Sequence, residues 1–269
     1  MRGVEHLLRA TAQAEARHFW FRGFRAFVTP LVQSATRFHA TARILDCGCG
    51  TGANLALLGR FGRAYGFDLS EVGPRFARRA GTTRVVRANA VAAPFPGASF
   101  DLVTSFDVLY SLDDADERRA AAELFRLLAP GGRAIVNVAA FDVLTGDHSV
   151  LSRELRRYTR ASLRALLEGA GFTIVRITYT NATLFLPLAL LRTFHRWRGL
   201  SAESGAEQEI SIPPEPVNAL LSAVLWLESV WLRWFNEPFG SSLLCVAEKP
   251  ATARNTRDTT TSAAAAGLR

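Results

Sequence analysis

Cysteine is scarce in this 269-residue chain, with three residues, two of which stand two positions apart at Cys47 and Cys49. Three cysteines make neither an even disulfide framework nor a zinc set, so no metal centre is expected and a reducing, cytoplasmic setting is. Long apolar runs are lacking too. None reaches the roughly 18 residues of a membrane-spanning helix, and the strongest candidate, 217–235, is interrupted by Glu228 and Arg233. The opening stretch MRGVEHLLRATAQAEARHFW carries charges throughout and has no apolar core of the kind a secretory leader needs. With 49% hydrophobic and 10% aromatic residues, the chain is also not disordered as a whole.

The composition does show an excess of positive charge. The net charge is +8 and the pI about 10.3, nearly all of it from arginine, which leaves a basic surface suited to anionic partners. The length fits one large α/β domain with an appendage.

Everything else is arranged around ILDCGCGTG at 44–52. Apolar residues lead into Asp46; Gly48, Gly50 and Gly52 then alternate; and Ala53 to Phe61 take up a helical pattern, which reads as strand, tight turn, helix. Glycines let the backbone approach a ligand closely, and the following helix offers unpaired N–H groups and a positive dipole end. Asp68, 20 residues beyond Gly48, ends a second expected strand where a carboxylate can meet ribose hydroxyls. The loop also satisfies a loose dinucleotide pattern through Gly48, Gly50 and Ala53.

The segments that follow favour a different ligand. RVVRANAVAAPFPGASFDLVTSFDVL at 84–109 and LLAPGGRAIVNV at 127–138 resemble the later motifs of the class I S-adenosylmethionine-dependent methyltransferases, the type-11 group in particular. The likeness covers about residues 40–180, and the flanks are similar to a bacterial subgroup with an aromatic N-terminal helix and an RRYT segment. The resemblance implies S-adenosyl-L-methionine as cofactor. It would place Asp46, Gly48, Cys49 and Gly50 on the methionine part, Asp68 and Leu69 on the ribose side, Asn89 and Ala90 on the adenine edge, and Phe106 in the pocket wall. Asn89 stands where the family usually has aspartate; an amide carbonyl accepts a hydrogen bond without charge, so weaker cofactor binding is expected.

The expected fold is a doubly wound, mostly parallel seven-stranded sheet with a helical cap at 1–40, an α/β core at 41–180, a helical insert at 181–239, a last strand at 240–249 and a disordered tail at 250–269. Strands are expected at 43–47, 64–68, 84–87, 100–105, 133–139, 172–180 and 241–248. Helices are expected at 53–61, 70–80 and 114–128, the last closed by Pro130-Gly131-Gly132, and Thr159 caps another running to Glu168. In such sheets ligands sit beyond the carboxyl ends of the strands, where Asp46, Asp68, Asn89 and Phe106 converge; Asp101 starts its strand and is read as structural.

The acceptor side is less determined. His148, in the loop at 141–158, is the candidate base by its ordinary pKa, Tyr110 could line the acceptor pocket, and Arg156, Arg157 and Tyr158 are candidate contacts to an anionic substrate. Methyl transfer asks mainly for positioning of the nucleophile. The leading expectation is a small-molecule or lipid-linked acceptor. RNA methylation is the alternative suggested by the pI and by arginine interleaved with aromatics, but no separate RNA-binding module stands in the chain, and SFDVLYSL replaces any NPPY- or DPPY-like segment. A third reading is a binding scaffold without chemistry. The N-terminal segment, with His18, Phe19, Trp20, Phe21, Phe24 and Phe27 among arginines, is a packed amphipathic helix, a lid over the cofactor or an interfacial helix on anionic lipid. The insert helix around 217–235 is apolar nearly all round, so its partner is the domain itself, a second subunit in a homodimer, or the inner face of a membrane.

Overall fold

The computed structural model describes residues 11–79, 81–82, 84–142, 154–187, 189–190 and 212–251. Seven strands form one sheet: β1 (Ala42–Cys47), β2 (Gly62–Asp68), β3 (Val85–Arg87), β4 (Phe100–Phe106), β5 (Leu128–Ala139), β6 (Thr173–Thr180) and β7 (Ser242–Glu248), in the order β3-β2-β1-β4-β5-β7-β6. The first five are parallel, and β7 runs antiparallel between β5 and β6. Strands β1 and β4 are buried along nearly their whole length, as a sheet covered on both faces demands.

The helices are α1 (Phe19–Thr36), α2 (Ala53–Leu58), α3 (Val72–Arg79), α4 (Asp114–Leu127), α5 (Arg160–Gly169) and α6 (Glu215–Trp231). One face of the sheet packs against α4 and α5 through Leu124, Leu127, Leu163 and Leu167. The opposite face carries α1, α2, α3 and α6 through Phe27, Val28, Val32, Leu55, Leu58, Ala77 and Leu225. Asp113 caps α4 by accepting from the Ala115 and Asp116 amides, and Thr159 caps α5 as its sequence implied, with a reciprocal bond from Ser162.

Strand β5 starts earlier than its composition suggested. Helix α4 ends at Leu127 and the strand begins at Leu128, with Pro130-Gly131-Gly132 inside it at a register shift against β4; Gly131 takes φ +78° and its N–H bonds the Lys249 carbonyl at 2.8 Å. Asp101 is structural, as expected from its place at the start of β4: its carboxylate accepts from the Arg43 amide at 2.8 Å.

The N-terminal segment and the insert meet one another. Asn218 of α6 accepts from the Phe19 amide at 2.8 Å and donates to the Arg17 carbonyl at 3.0 Å. Gly23 of α1 lies so close to Leu225 that a Cβ there would sit 2.4 Å from its Cδ1. Glu228, on the buried side of α6, accepts from the amides of Ala182 and Thr183 and from the Thr183 hydroxyl, which pins the chain as it leaves β6. Among the described residues, no helix is long and apolar enough to cross a membrane. The first half of the insert, at 191–211, and the tail beyond residue 251 lie outside the described residues.

Candidate functional site

Parallel strands β1, β2 and β4 end along one edge, and the turns leaving them build the site. After β1 the chain reverses through Gly48 (φ +78°), Gly50 (φ +51°) and Gly52 (φ +85°), conformations that any side chain would strain. The turn is fastened to the neighbouring strand: the amides of Gly48 and Cys49 both donate to the Phe67 carbonyl at 2.9 Å. Gly52 opens α2, and a Cβ on it would stand 2.6 Å from that of Ala77 in α3.

Two carboxylates flank this turn. Asp68 accepts from the amides of Gly50 and Ser70, both at 2.8 Å, and so bridges the glycine turn to the start of α3. Asp46 is buried; its Oδ1 accepts from the Thr104 hydroxyl at 2.7 Å across the β1–β4 pairing, and its Oδ2 has no partner. Burial is the largest cause that pushes the Asp46 carboxyl up to about 7, the Thr104 bond pulls against it and the charge of Asp68 adds to it. An unpartnered, fully enclosed carboxylate oxygen beside a glycine cradle fits a ligand that supplies the missing donor.

Around this centre, Leu69 exposes a large apolar surface next to Asp68. Asn89 is exposed just past β3, its carbonyl accepting from the Val91 amide at 3.2 Å, with Ala90 beside it. Cys49 and Phe106 are buried, and burial raises the Cys49 thiol far above its ordinary value, so it is no nucleophile. Phe106 meets Phe24 of α1 edge to face at 5.0 Å between ring centres, which brings the N-terminal helix over the end of β4. Closer still, the Thr51 hydroxyl donates to the Glu15 carboxylate at 2.5 Å, and Arg25 donates to the Glu15 carbonyl at 2.8 Å. The N-terminal segment is thus both a packed helix and a clasp on the glycine turn.

The acceptor edge holds residues that sequence reasoning missed. Asp107 follows β4 with φ +61°, strained for a non-glycine residue. Its amide donates to the Asn137 carbonyl and its Oδ1 accepts from the Asn137 side chain, both at 3.0 Å. Asp107 is exposed to solvent; partial loss of hydration pushes its carboxyl up to about 7, with Asn137 opposing, the charge of Glu154 adding and Arg157 opposing. Tyr110 is buried nearby, and burial together with the charges of Asp107 and Glu154 raises its phenol well above 10, so it stays protonated. An aromatic wall continues the edge: Phe141 stacks on Tyr179 at 4.9 Å and meets Phe185, which meets Phe239. Position alone could have found Asp107, since it directly follows a strand whose end was already read as ligand-facing.

The arginine and tyrosine candidates have tasks inside the protein. Arg156 pairs with Asp114 at 2.7 Å and Glu117 at 2.9 Å and donates to the Leu112 carbonyl, while the buried Tyr158 hydroxyl donates to Glu117. Arg157 pairs with Glu154 at 2.6 Å, both buried, and donates to the Ala140 carbonyl. These contacts fasten the chain between β5 and α5. His148 lies outside the described residues. Among the described residues, no group of histidine, cysteine, aspartate or glutamate could hold a metal ion.

A seven-stranded, doubly wound sheet with its last strand antiparallel, a glycine turn after β1 and a carboxylate ending β2 defines the Rossmann-like class of nucleotide-cofactor enzymes. Comparison with known proteins narrows the class. The type-11 "Methyltransferase domain" family matches residues 45–136. The chain is 30% identical over 200 residues to the O-methyltransferase cnsE of Penicillium expansum, covering 69% of this chain and 71% of that protein. It is 28% identical over 179 residues to the ubiquinone/menaquinone biosynthesis C-methyltransferase UbiE of Photorhabdus laumondii, covering 52% and 69%. An S-adenosylmethionine-dependent methyltransferase from Mesorhizobium loti shares the fold with TM-score 0.51 at 20% identity, over 81% of this chain and 96% of that one. The [4+2]-cyclase SpnF shares it with TM-score 0.54 at 22% identity, over 84% and 81%. The chain belongs to the class I S-adenosylmethionine-dependent methyltransferases of the type-11 family. It is therefore an enzyme, and its cofactor is S-adenosyl-L-methionine.

Proposed function

We propose that the chain methylates a small-molecule or lipid-linked acceptor that enters the cleft beyond β4 and β5, and that Asp107 takes the acceptor's proton. The observation that carries this reading is the Asp107 carboxylate: exposed to solvent just past the end of β4, strained in backbone and oriented by Asn137. With Oδ1 taken by Asn137, Oδ2 is the oxygen proposed to take the proton, and a carboxyl near 7 matches the pH at which a general base works best.

The cofactor supplies an electrophilic methyl group on a sulfonium, which departs as a neutral thioether. Asp46, Gly48, Cys49, Gly50, Asp68, Leu69, Asn89, Ala90 and Phe106 are proposed to hold it, with the unpartnered Asp46 Oδ2 and the positive-φ glycines as the support. Asp107 Oδ2 accepts the proton that an acceptor hydroxyl or acidic carbon gives up as its bond to the methyl carbon forms. Tyr110 stays a neutral phenol and polarises the cleft as a donor. Phe141, Phe185 and Phe239 exclude water beside an aromatic or isoprenoid acceptor. Similar proteins are named for O-methylation and for C-methylation in ubiquinone/menaquinone biosynthesis, and methylating a hydroxyl or an acidic carbon releases a proton.

Methyl-labelled cofactor incubated with the protein and a bacterial extract tests the acceptor class. Label in the organic phase or among aqueous small molecules supports the reading; label in RNA overturns it. Asp107→Asn tests the base: turnover is expected to fall about 100- to 1000-fold with cofactor affinity within about twofold. Equal turnover would sink the assignment of Asp107.

A further inference from the structure

Helix α6 turns its Asn218, Leu225, Glu228 and Ser229 inward against α1 and the end of β6. Its outward face is the unusual one. Leu220, Leu227 and Trp231 stand there, with Trp234 in the turn that follows the helix, each more than half exposed and Trp234 at 81%. Surface helices normally turn charged and polar residues outward, and tryptophan is among the costliest side chains to leave in water.

Beside that face runs a groove of about 480 Å³ between α1, α2 and α6, lined by Arg25, Arg60, Arg233 and Trp226 among others. Arg60 and Arg233 are exposed and have no carboxylate partner among the described residues. Arg25 donates to the Glu15 carbonyl and feels the charge of the Glu15 carboxylate, which itself accepts from the Thr51 hydroxyl, so Arg60 and Arg233 are, among the described residues, the groove's unpaired cations. Trp226, exposed on α6, lines the groove together with Arg233, which follows the end of the helix, and so forms the rim shared by groove and apolar face.

We infer that this groove and the outward face of α6 together form a docking site for an anionic lipid surface, with the arginines on headgroup phosphates and the tryptophans at the acyl boundary. Charge complementarity decides the occupant. A second copy of this chain would bring the same uncompensated arginines, at a net charge of +8, against one another. Exposed tryptophans on and just after α6, with arginines from neighbouring elements beside them, suit the boundary between headgroups and acyl chains. The inference concerns binding to a surface and stands whichever acceptor is methylated.

The test is flotation of the full chain with phosphatidylcholine vesicles, with and without phosphatidylglycerol. Binding is expected only to the anionic vesicles and is expected to weaken with salt. The double variant Arg60→Ala/Arg233→Ala is expected to lower it at least about tenfold, and Trp231→Ser/Trp234→Ser to lower it as well. All four side chains are exposed, so the thermal midpoint and cofactor affinity should hold. No binding to either vesicle, or equal binding to both, overturns the inference, and this comparison needs no variant. Saturable binding of inorganic phosphate without vesicle binding assigns the groove to a soluble anion and overturns the lipid source. A dimer in light scattering that the tryptophan variant dissolves assigns the face to a second copy and overturns it too.

Discussion

Two aspartates, the buried Asp46 and the exposed Asp107, hold their protons more tightly than ordinary carboxylates, and their titration separates binding from chemistry. Asp46 and Asp107 both titrate near 7, each raised mainly by lost hydration. With saturating cofactor, turnover is expected to rise as pH climbs through about 7, because only the ionised Asp107 can accept a proton; in Asp107→Asn that limb should vanish. A rate profile unchanged by the substitution would exclude Asp107 as base. Asp46 leaves a different trace. Its folded-state value lies above the ordinary carboxylate range, so the cofactor-free protein holds this proton better than the unfolded chain does. The stability tied to that proton is present at low pH and is lost as pH rises toward about 7. Asp46→Asn is therefore expected to stabilise the cofactor-free protein at about pH 8, on the order of 2 kcal/mol, and to flatten the decline, while weakening cofactor binding. Thermal unfolding across pH, with and without cofactor, checks both halves; a variant less stable than the parent at pH 8 would contradict the account.

Elements position these residues, and the segment between β5 and α5 shows how. Glu117 of α4 takes Arg156 and Tyr158 at once, so Glu117→Ala would leave the buried Tyr158 phenol without its acceptor and Arg156 with only Asp114 and the Leu112 carbonyl. A loss of about 2 kcal/mol in unfolding free energy is expected, discounted for the solvent that reaches Arg156; chemical denaturation measures it, and a change under about 0.5 kcal/mol would show the network to be idle. Such contacts explain what the sequence could and could not reveal. Strand, glycine turn and helix at 44–61 were legible because propensity, punctuation and burial act within a few residues there. So was the Thr159 cap, a purely local bond. The start of β5 was hidden because Pro130 and the glycines beside it read as a break, whereas the pairing with β4 carries the strand through them at a bulge. The Thr104 bond to Asp46 joins residues 58 apart and depends on strand register, and Glu117 reaches residues about 40 further on, so no local pattern announces either. Arg156 and Tyr158 looked like ligand contacts for the same reason: their partners sit on another element.

At the scale of the whole molecule, the insert is joined to the N-terminal segment, and that segment to the glycine turn. Asn218 holds the residues just before and at the start of α1, some 200 positions away, and that segment continues back to Glu15, which grips Thr51 beside the glycines. The insert, the N-terminal helix and the cradle therefore form one mechanical series. Asn218→Ala removes the acceptor of the Phe19 amide and the donor to the Arg17 carbonyl at a buried position, a loss of about 1–3 kcal/mol. If the series transmits, the substitution also loosens Glu15 from Thr51, and cofactor affinity falls several-fold although Asn218 touches no part of the cradle. Glu15→Gln supplies the comparison, because it weakens the Thr51 bond while leaving the joint between α1 and α6 intact. Cofactor titration by calorimetry on both variants, with thermal unfolding of the cofactor-free proteins, gives the answer. The expected pattern is weakened affinity in both and lowered stability mainly in Asn218→Ala. Lowered stability with unchanged affinity in Asn218→Ala would mean that the insert braces the fold without reaching the site.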